Sequence, residues 1–185
     1  SDFGMKSSYV SQMKAVAISM TDAHLIDITH EVTPHNIREG AFILKTVAPF
    51  FPMGTVHVAV VDPGVGTSRK GLVITTTSQI LIGPDNGLLI PAARLLGNYT
   101  VYEIQNPRFM LHRVSNTFHG RDIFTPVAAH ILNGVLFEEI GPVINDYVKL
   151  DFKEPQVTNN TATGEIIYID NFGNIITNID NVKLN

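Results

Sequence analysis

The sequence predicts an α/β fold: a three-layer α/β/α N-terminal domain with a mostly parallel sheet, followed by the start of a small C-terminal β domain. Strand-like segments rich in β-branched residues alternate with segments of helical period, as in α/β domains. The segment VHVAVV, residues 56–61, is apolar without alternation, which is typical of a central strand buried on both faces. After about Leu150 the sequence becomes polar and loses its periodicity.

Composition limits the function classes. The 185 residues are 44% hydrophobic and 16% charged, enough for one well-filled domain. The net charge is −4 with scattered Lys and Arg, which argues against a nucleic-acid partner. There is no Cys, which excludes thiol chemistry and suits a reducing compartment. No apolar run approaches the roughly 18 residues of a membrane span and no signal peptide is visible, so we expect a cytoplasmic protein without a membrane partner.

The first predicted unit is a helix followed by a strand. The helix begins behind a serine cap at Ser8. Apolar residues then recur at helical spacing: Tyr9, Val10, Met13, Val16, Ala17 and Met20. The segment His24 to Thr29 (HLIDIT) follows and is predicted to be a strand.

The second predicted unit is also a helix and a strand. Asn36 and Glu39 have the spacing of a capping box and start the helix, which ends near Pro49 or Pro52. Its apolar stripe comprises Ile37, Ala41, Leu44 and Ala48. A strand follows from His57 to Val61 and stops at a glycine-rich turn.

Three more strands and one helix complete the predicted first domain. Leu72 to Thr77 and Gln79 to Gly83 are strands joined by a turn, and residues 83–87 (GPDNG) give the strongest turn signal in the chain. Another strand runs from Thr100 to Ile104, and the last helix begins near Asp122. Its expected inward residues are Ile123, Val127, Ile131 and Leu132, with a stop at Gly134.

These elements divide the chain into three parts. Residues 1–150 form the α/β/α domain, and residues 151–163 form a polar linker. Residues 164–185 form the first hairpin of a β domain, around the loop at 171–173. Since a hairpin alone is not a stable domain, we expect the chain to stop just inside that second domain.

Two clusters of polar residues lie in the first half of the chain, at strand ends or in loops, where α/β sheets place their sites. Asp2 precedes the first helix and could accept hydrogen bonds from a ribose diol, or could be a turn aspartate. Asp62 and Arg69 flank the turn DPGVGTSR, which could fold them into an ion pair. That pair could serve chemistry or only pin the turn.

Two further clusters lie in the second half. His119 stands just before a predicted helix, whose N-terminus disfavours imidazolium, so a neutral ring able to accept a proton is expected. A capping or packing role is the alternative. Asp170 and Asn174 place a carboxylate and an amide across a hairpin turn, where a purely structural role is common.

Several motifs are excluded. The Walker A spacing is absent, and Gly64 and Gly66 lack the third glycine of a dinucleotide fingerprint, a place that Arg69 occupies. There is no G-x-S-x-G elbow of a serine hydrolase. No metal site is expected, because four histidines show no ligand spacing on one element: His24, His30, His35 and His57.

The clusters together resemble one family. The ordered motifs are SDFG, DITHEVTPHNIREGAFIL, FFPMGTVHVAVVDPGVGTSR, GPDNGLL, FHGRDIF and IDNFGNIITNI. They resemble the S-adenosyl-L-methionine hydroxide adenosyltransferases, which are relatives of fluorinase and chlorinase. The resemblance covers nearly the whole chain, and DPGVGT with its downstream Arg and FHGRD are the most diagnostic motifs.

The resemblance implies a reaction and an assembly. Water or hydroxide displaces methionine from the ribose C5′ of S-adenosyl-L-methionine, giving adenosine and L-methionine, with no cofactor. The family forms homotrimers with active sites between neighbouring subunits. It also implies a strand ahead of the SDFG motif and about half a domain beyond Asn185, and neither is in this sequence.

The resemblance assigns roles to individual residues. Asp62, Arg69 and His119 match the set thought to hold and activate the water. Arg69 could stabilise a developing hydroxide and neutral His119 could take the proton, with Asp62 orienting one of them. The sequence leaves open whether Asp62 or His119 receives the proton.

The substrate residues are carried over in the same way. Asp2 should hold the ribose hydroxyls, and Asp170 and Asn174 should meet the methionine amino group and the adenine edge. The remaining expected substrate contacts are Phe118, Gly120 and His35.

Two alternatives stay open. A halide adenosyltransferase would form a 5′-halo-adenosine, but that branch replaces the Asp-Arg-His set and adds a loop where only about Ser78 separates two strands here. The other alternative is a module that binds S-adenosyl-L-methionine or adenosine without turnover.

Overall fold

A computed structural model describes residues 1–158, 161–170 and 172–179. The chain divides into two units, Ser1–Lys149 and Leu150–Asn185. Asn171 and residues 180–185, which belong to the predicted hairpin segment, lie outside the described residues.

The first unit is built on a four-stranded sheet in the order β1-β3-β2-β4. The strands are β1 (Val56–Val58), β2 (Gly71–Thr76), β3 (Ile80–Pro84) and β4 (Tyr99–Glu103). Strands β1 and β3 are parallel, whereas β2 pairs antiparallel with both β3 and β4. The α/β class is confirmed, but the described sheet is mixed rather than mostly parallel. The reason is the tight turn at Ser78, because a connection this short can join only antiparallel strands.

The described residues form five α-helices, of which four pack in two pairs. The helices are α1 (Tyr9–Met20), α2 (Ile37–Val47), α3 (Ile90–Leu95), α4 (Thr125–Leu132) and α5 (Phe137–Ile140). Helix α1 packs on α4, and α2 packs on α3. Val73 of β2 shares one core cluster with Phe124 and Val127, while its neighbours Leu72 and Ile74 are equally buried and face the other way. The unit therefore has the predicted three layers.

Helix ends follow the sequence in part. The Asn36 side chain accepts the Glu39 N–H at 3.1 Å, as predicted. Ser8 precedes α1 but its side chain makes no capping hydrogen bond. The last helix begins earlier than Asp122, with a π-helical turn over Gly120–Phe124, and Leu132 is 43% exposed rather than inward. Helices α3 and α5 were not predicted.

The segment from His24 to Thr29 is not a strand. It is extended but pairs with no strand among the described residues, and Ile26 is 69% exposed. A largely apolar cavity of about 480 Å³ is lined by this segment and by residues 54–61. The Ser1 ammonium donates to the Thr29 carbonyl at 2.9 Å on the rim of this cavity. Among the described strands β1 pairs only with β3, and the segment forms no ladder with it. No helix within the described residues has the length and apolar character needed to span a membrane.

The second unit contains two short antiparallel pairs. Strands β5 (Gln156–Val157) and β6 (Ala162–Thr163) form one pair, so the segment taken as a linker carries some structure. Strands β7 (Ile166–Ile169) and β8 (Ile175–Thr177) form the other, which is the hairpin expected from the sequence.

Candidate active site

The turn after the buried segment 59–61 brings Asp62 and Arg69 together. Thr67 donates its N–H to the Gly64 carbonyl at 3.2 Å, which closes the turn. The Arg69 Nε then lies 3.0 Å from each carboxylate oxygen of Asp62, and Nη2 donates to Oδ2 as well. The Asp62 side chain is 4% exposed and that of Arg69 is 11% exposed. The predicted ion pair is therefore present, buried and fixed by several hydrogen bonds.

Gly66 couples this turn to the loop that carries His119. It has φ +77°, and a Cβ there would lie 2.2 Å from the Asn116 carbonyl oxygen. Only glycine allows this close approach of two backbones. The turn and the loop at residues 115–118 are thus in direct backbone contact.

The His119 ring has contacts with Arg69 and with the Ser115 backbone. The Arg69 Nη2 lies 2.8 Å from Nδ1. A guanidinium has donors only, so Nδ1 must be the acceptor and the ring proton must be on Nε2. The ring also makes a hydrogen bond with the Ser115 backbone, which raises the pKa and therefore comes from the ring N–H to the carbonyl.

The pKa of His119 is lowered from its ordinary value of 6.5. Burial is the largest cause, and the Arg69 charge adds to it, while Asp62 and Asp122 act in the opposite direction. This agrees with the neutral imidazole expected from the sequence. The causes that lower it are burial and the neighbouring guanidinium.

The Asp2 side chain is oriented by the backbone N–H of His35, which lies on another loop. The His35 N–H donates to Asp2 Oδ2 at 3.0 Å, and His35 has a φ of 65°, a conformation that L-residues rarely adopt. Next to Asp2, the Ser1 hydroxyl pairs with His30 Nδ1 at 2.9 Å, and His30 Nε2 lies 3.1 Å from Asp27. Asp2 is thus held by the His35 N–H, and the neighbouring Ser1 is held by His30.

A pocket of about 260 Å³ collects these groups. Six predicted site residues line it: Asp2, His35, Asp62, Phe118, His119 and Gly120. Arg69 lies behind Asp62 and His119 and contacts both. The structure therefore brings all seven expected residues of the first unit to one place.

Two aromatic residues that line the pocket were not predicted from the sequence. Phe3 and Tyr9 line the pocket and pack edge-on against Phe118, with ring centroids 5.6 and 4.9 Å away. Phe3 belongs to the SDFG motif and Tyr9 opens α1, so both stood beside a recognised signal. Gly120 lies against Phe3, where a Cβ would come within 3.4 Å of the ring.

Comparison with known proteins identifies the family of this chain. The model of the S-adenosyl-L-methionine hydroxide adenosyltransferase N-terminal domain matches residues 1–141. The chain belongs to the S-adenosyl-L-methionine hydroxide adenosyltransferase family.

Members of the family with curated names are similar to most of the chain. An (R)-S-adenosyl-L-methionine hydrolase of Salinispora arenicola is 40% identical, over 94% of this chain and 68% of that protein. One of Methanocaldococcus jannaschii is 44% identical, over 96% of this chain and 64% of that protein. Fluorinases are more distant, for example 27% identical in Nocardia brasiliensis. The chain spans about two thirds of the length of these hydrolases.

A solved structure shares the fold closely. The crystal structure of an uncharacterized conserved protein from Thermotoga maritima has a TM-score of 0.91 and 44% sequence identity, covering 96% of this chain and 69% of that one. The α/β architecture of this adenosyltransferase-family chain is therefore that of a known protein.

Asp170 and Asn174 lie in the second unit. Asp170 Oδ1 accepts the N–H groups of Phe172 and Asn174 at 2.9 and 2.8 Å, and Oδ2 accepts the Asn174 side-chain amide at 2.7 Å. The hydrogen bond from the Asn174 side-chain amide is the largest cause that keeps the pKa of Asp170 below its usual range. Burial opposes it, and backbone N–H groups lower the pKa further. Locally the two residues form a hairpin turn, and their substrate contacts remain a prediction.

The described residues contain no group of three or more His, Cys, Asp or Glu side chains placed to hold a metal ion. The side chains at the pocket include the carboxylates of Asp2 and Asp62 and the imidazole of His119, with the Arg69 guanidinium behind them and aromatic rings beside them.

Proposed function

We propose that this protein hydrolyses S-adenosyl-L-methionine to adenosine and L-methionine by attack of water at the ribose C5′. The observation that carries the proposal is the chain of contacts from Asp62 through Arg69 to His119, which lines one pocket with Asp2 in a member of the hydroxide adenosyltransferase family. The two curated relatives that are 40% and 44% identical to this chain are named as hydrolases of this compound.

The reaction requires little acid chemistry. As the water oxygen bonds to C5′, the C5′–S bond breaks with its electron pair on sulfur. Methionine thus leaves as a neutral thioether and takes no proton. The attacking oxygen becomes cationic and must lose a proton, for which a weak base suffices because a protonated alcohol is a strong acid.

Asp62 is the group placed to receive that proton. The one ring lone pair of His119 already accepts Arg69, and its N–H is bonded to Ser115. A carboxylate has about four acceptor positions, so Asp62 can hold a water besides Arg69. We assign His119 and Arg69 to fixing that carboxylate and its charge in a dry pocket, where a preorganised arrangement contributes most.

Substrate binding extends beyond the pocket of the first unit. Clefts for ligands of this size are commonly about 300–1,000 Å³, and the pocket has about 260 Å³. Asp2 would bind the ribose hydroxyls, with His35, Phe118 and Gly120 around it. By the family resemblance, Asp170 and Asn174 would contribute contacts to the methionine amino group and adenine. A homotrimer and a cytoplasmic location belong to the same proposal, and light scattering of the purified protein tests the trimer.

The decisive experiment follows the oxygen. The protein is incubated with each sulfonium epimer of S-adenosyl-L-methionine in H₂¹⁸O, since the relatives' names specify the R form. We expect adenosine with ¹⁸O at its 5′-hydroxyl, at equal rates in halide-free and in chloride or fluoride buffer. A 5′-halo-adenosine would identify a halide transferase. Binding by calorimetry without product from either epimer would identify a binding module and overturn the hydrolase proposal.

A further inference from the structure

Asp122 is the most deeply buried acidic residue near the pocket, and it does not line it. Its exposed fraction is 0%, and it sits in the π-helical turn directly after His119, Gly120 and Arg121. Burial of a carboxylate without hydrogen-bond partners costs free energy. The partners of Asp122 therefore indicate its role. Single π-helical turns are often found at functional sites.

The Asp122 carboxylate organises the loop that precedes His119. Oδ2 accepts the Ser115 N–H at 2.8 Å, and the Ser115 hydroxyl accepts the Phe118 N–H at 3.0 Å. The Ser115 backbone in turn accepts the His119 ring hydrogen bond. One carboxylate thereby fixes Ser115, which holds both the His119 imidazole and the Phe118 N–H.

Arg121 completes the arrangement on the other side. Its Nε donates to Asp122 Oδ1 at 2.6 Å and its Nη1 donates to the Gln12 amide oxygen of α1 at 2.6 Å. Its guanidinium carbon lies 4.9 Å from the centre of the Phe118 ring. Burial by itself raises the pKa of Asp122, but hydrogen bonds from Arg121 and Ser115 outweigh it and hold that pKa below its usual range.

We propose that Asp122 is a positioning residue for the hydrolysis: through Ser115 it fixes the ring orientation and tautomer of His119, and so the contact of Arg69 with Asp62. The proposal deepens the proposed function and rests on it for its kinetic consequences. Its structural part, the state of the His119 ring, stands without any substrate.

The test compares Asp122→Asn with Asp146→Asn. The control makes the same chemical change on a carboxylate whose side chain is fully exposed and outside the pocket lining. Nitrogen-15 NMR of the His119 ring without substrate reads the tautomer and the pKa, and kinetics give kcat and KM. The charges acting on the ring are those of Arg69, Asp62 and Asp122.

In Asp122→Asn we expect ring signals of mixed tautomers, a further fall of the His119 pKa because one raising charge is lost, and a kcat reduced about 10- to 100-fold at nearly constant KM. Asp146→Asn should match the parent in all readouts. A folded Asp122→Asn protein with the parental ring signals and pH profile would overturn the proposal. If the signals change but the parent hydrolyses nothing, positioning stands and the proposed function fails.

A second variant covers the case in which Asp122→Asn does not fold. Ser115→Ala keeps the backbone that bonds His119 but removes the hydroxyl that holds the Phe118 N–H. We expect faster hydrogen exchange of the Phe118 amide and a raised KM, with the His119 ring signals unchanged. Parental exchange and kinetics would show that the Ser115 hydroxyl does not hold Phe118. The His119 ring is read in the parent protein itself, where nitrogen-15 NMR should place the ring proton on Nε2, and a proton on Nδ1 would overturn the proposed positioning.

Discussion

The Nη2 of Arg69 lies 2.8 Å from Nδ1 of His119, although the two residues are 50 positions apart in the chain. The same nitrogen donates to Asp62 Oδ2. One guanidinium therefore bridges a carboxylate and an imidazole and uses the only lone pair of the neutral ring. In the proposed reaction this leaves the Asp62 carboxylate as the base.

Asp62→Asn should remove most of the activity. The variant keeps the shape of the side chain but loses the charge that pairs with Arg69 and the oxygen assigned to the proton. We expect kcat to fall by about 10² to 10⁴, the usual range for a general base, with a much smaller change in KM. Steady-state kinetics of adenosine release measure both constants. Asp146→Asn is the matched control, and a kcat within a few-fold of the parent in Asp62→Asn would contradict the assignment.

His119→Gln should reduce kcat much less than Asp62→Asn does. The Gln amide oxygen can still accept an Arg69 N–H, so the loss is part of one charged hydrogen bond, which is worth about 1.5–3 kcal/mol in full. We therefore expect a kcat reduced by about tenfold. If His119 itself takes the proton, the reduction should reach about 10² to 10⁴, and that result would reassign the base.

The pH dependence should come from the same imidazole. Because the pKa of His119 is lowered from 6.5, the folded protein binds this proton less readily than the unfolded chain. Stability contributed by the neutral ring is therefore complete above pH 6.5 and is lost as the pH falls through the lower folded value. Activity should decline over the same range, since imidazolium cannot accept from Arg69. His119→Gln lacks this acidic decline in both denaturation and rate measurements, and a persisting decline would point to another group.

Gly66→Ala should destabilise the protein more than Gly54→Ala. Both glycines have positive φ, +77° and +84°, so both substitutions carry a strain of about 1–2 kcal/mol. Around Gly54 a Cβ meets nothing within 4 Å, whereas at Gly66 it lies 2.2 Å from the Asn116 carbonyl oxygen. Urea denaturation should show the larger loss for Gly66→Ala, and its kcat should fall because the loop at 115–118 must move. Equal losses in both variants would mean that this contact does not constrain the loop.

Local sequence patterns predicted the elements whose signals are complete within a few residues. Asn36 with Glu39 marked the start of α2, and the turn at Ser78 marked two successive strands. The segment from His24 to Thr29 has an equally good strand pattern but forms no ladder, because a strand requires a partner that the pattern does not contain. The sequence also predicted a mostly parallel sheet, whereas the described sheet is mixed. The direction of pairing depends on both strands, and the pattern of one strand does not contain it.

The site was predictable as a set of residues but not as a geometry. The turn after Asp62 suggested the ion pair with Arg69, and the motifs identified His119. The sequence did not show that Arg69 occupies the His119 lone pair, because that contact depends on a backbone approach between Gly66 and Asn116. Asp122 was predicted only as the start of a helix, and its hydrogen bonds in the structure show its connection to His119.

His35 should matter through its backbone rather than its side chain. Its N–H donates to Asp2 Oδ2 at 3.0 Å, and its φ of 65° is a conformation that Asn and Gly adopt with little strain. We expect His35→Asn and His35→Gly to keep KM within about threefold, because less than one hydrogen bond of binding energy is at stake. His35→Pro removes the N–H and cannot adopt a positive φ, so Asp2 loses its orientation and KM should rise at least tenfold. Steady-state kinetics of the three variants separate the two cases: a large rise of KM in His35→Asn would show that the imidazole itself contacts the substrate.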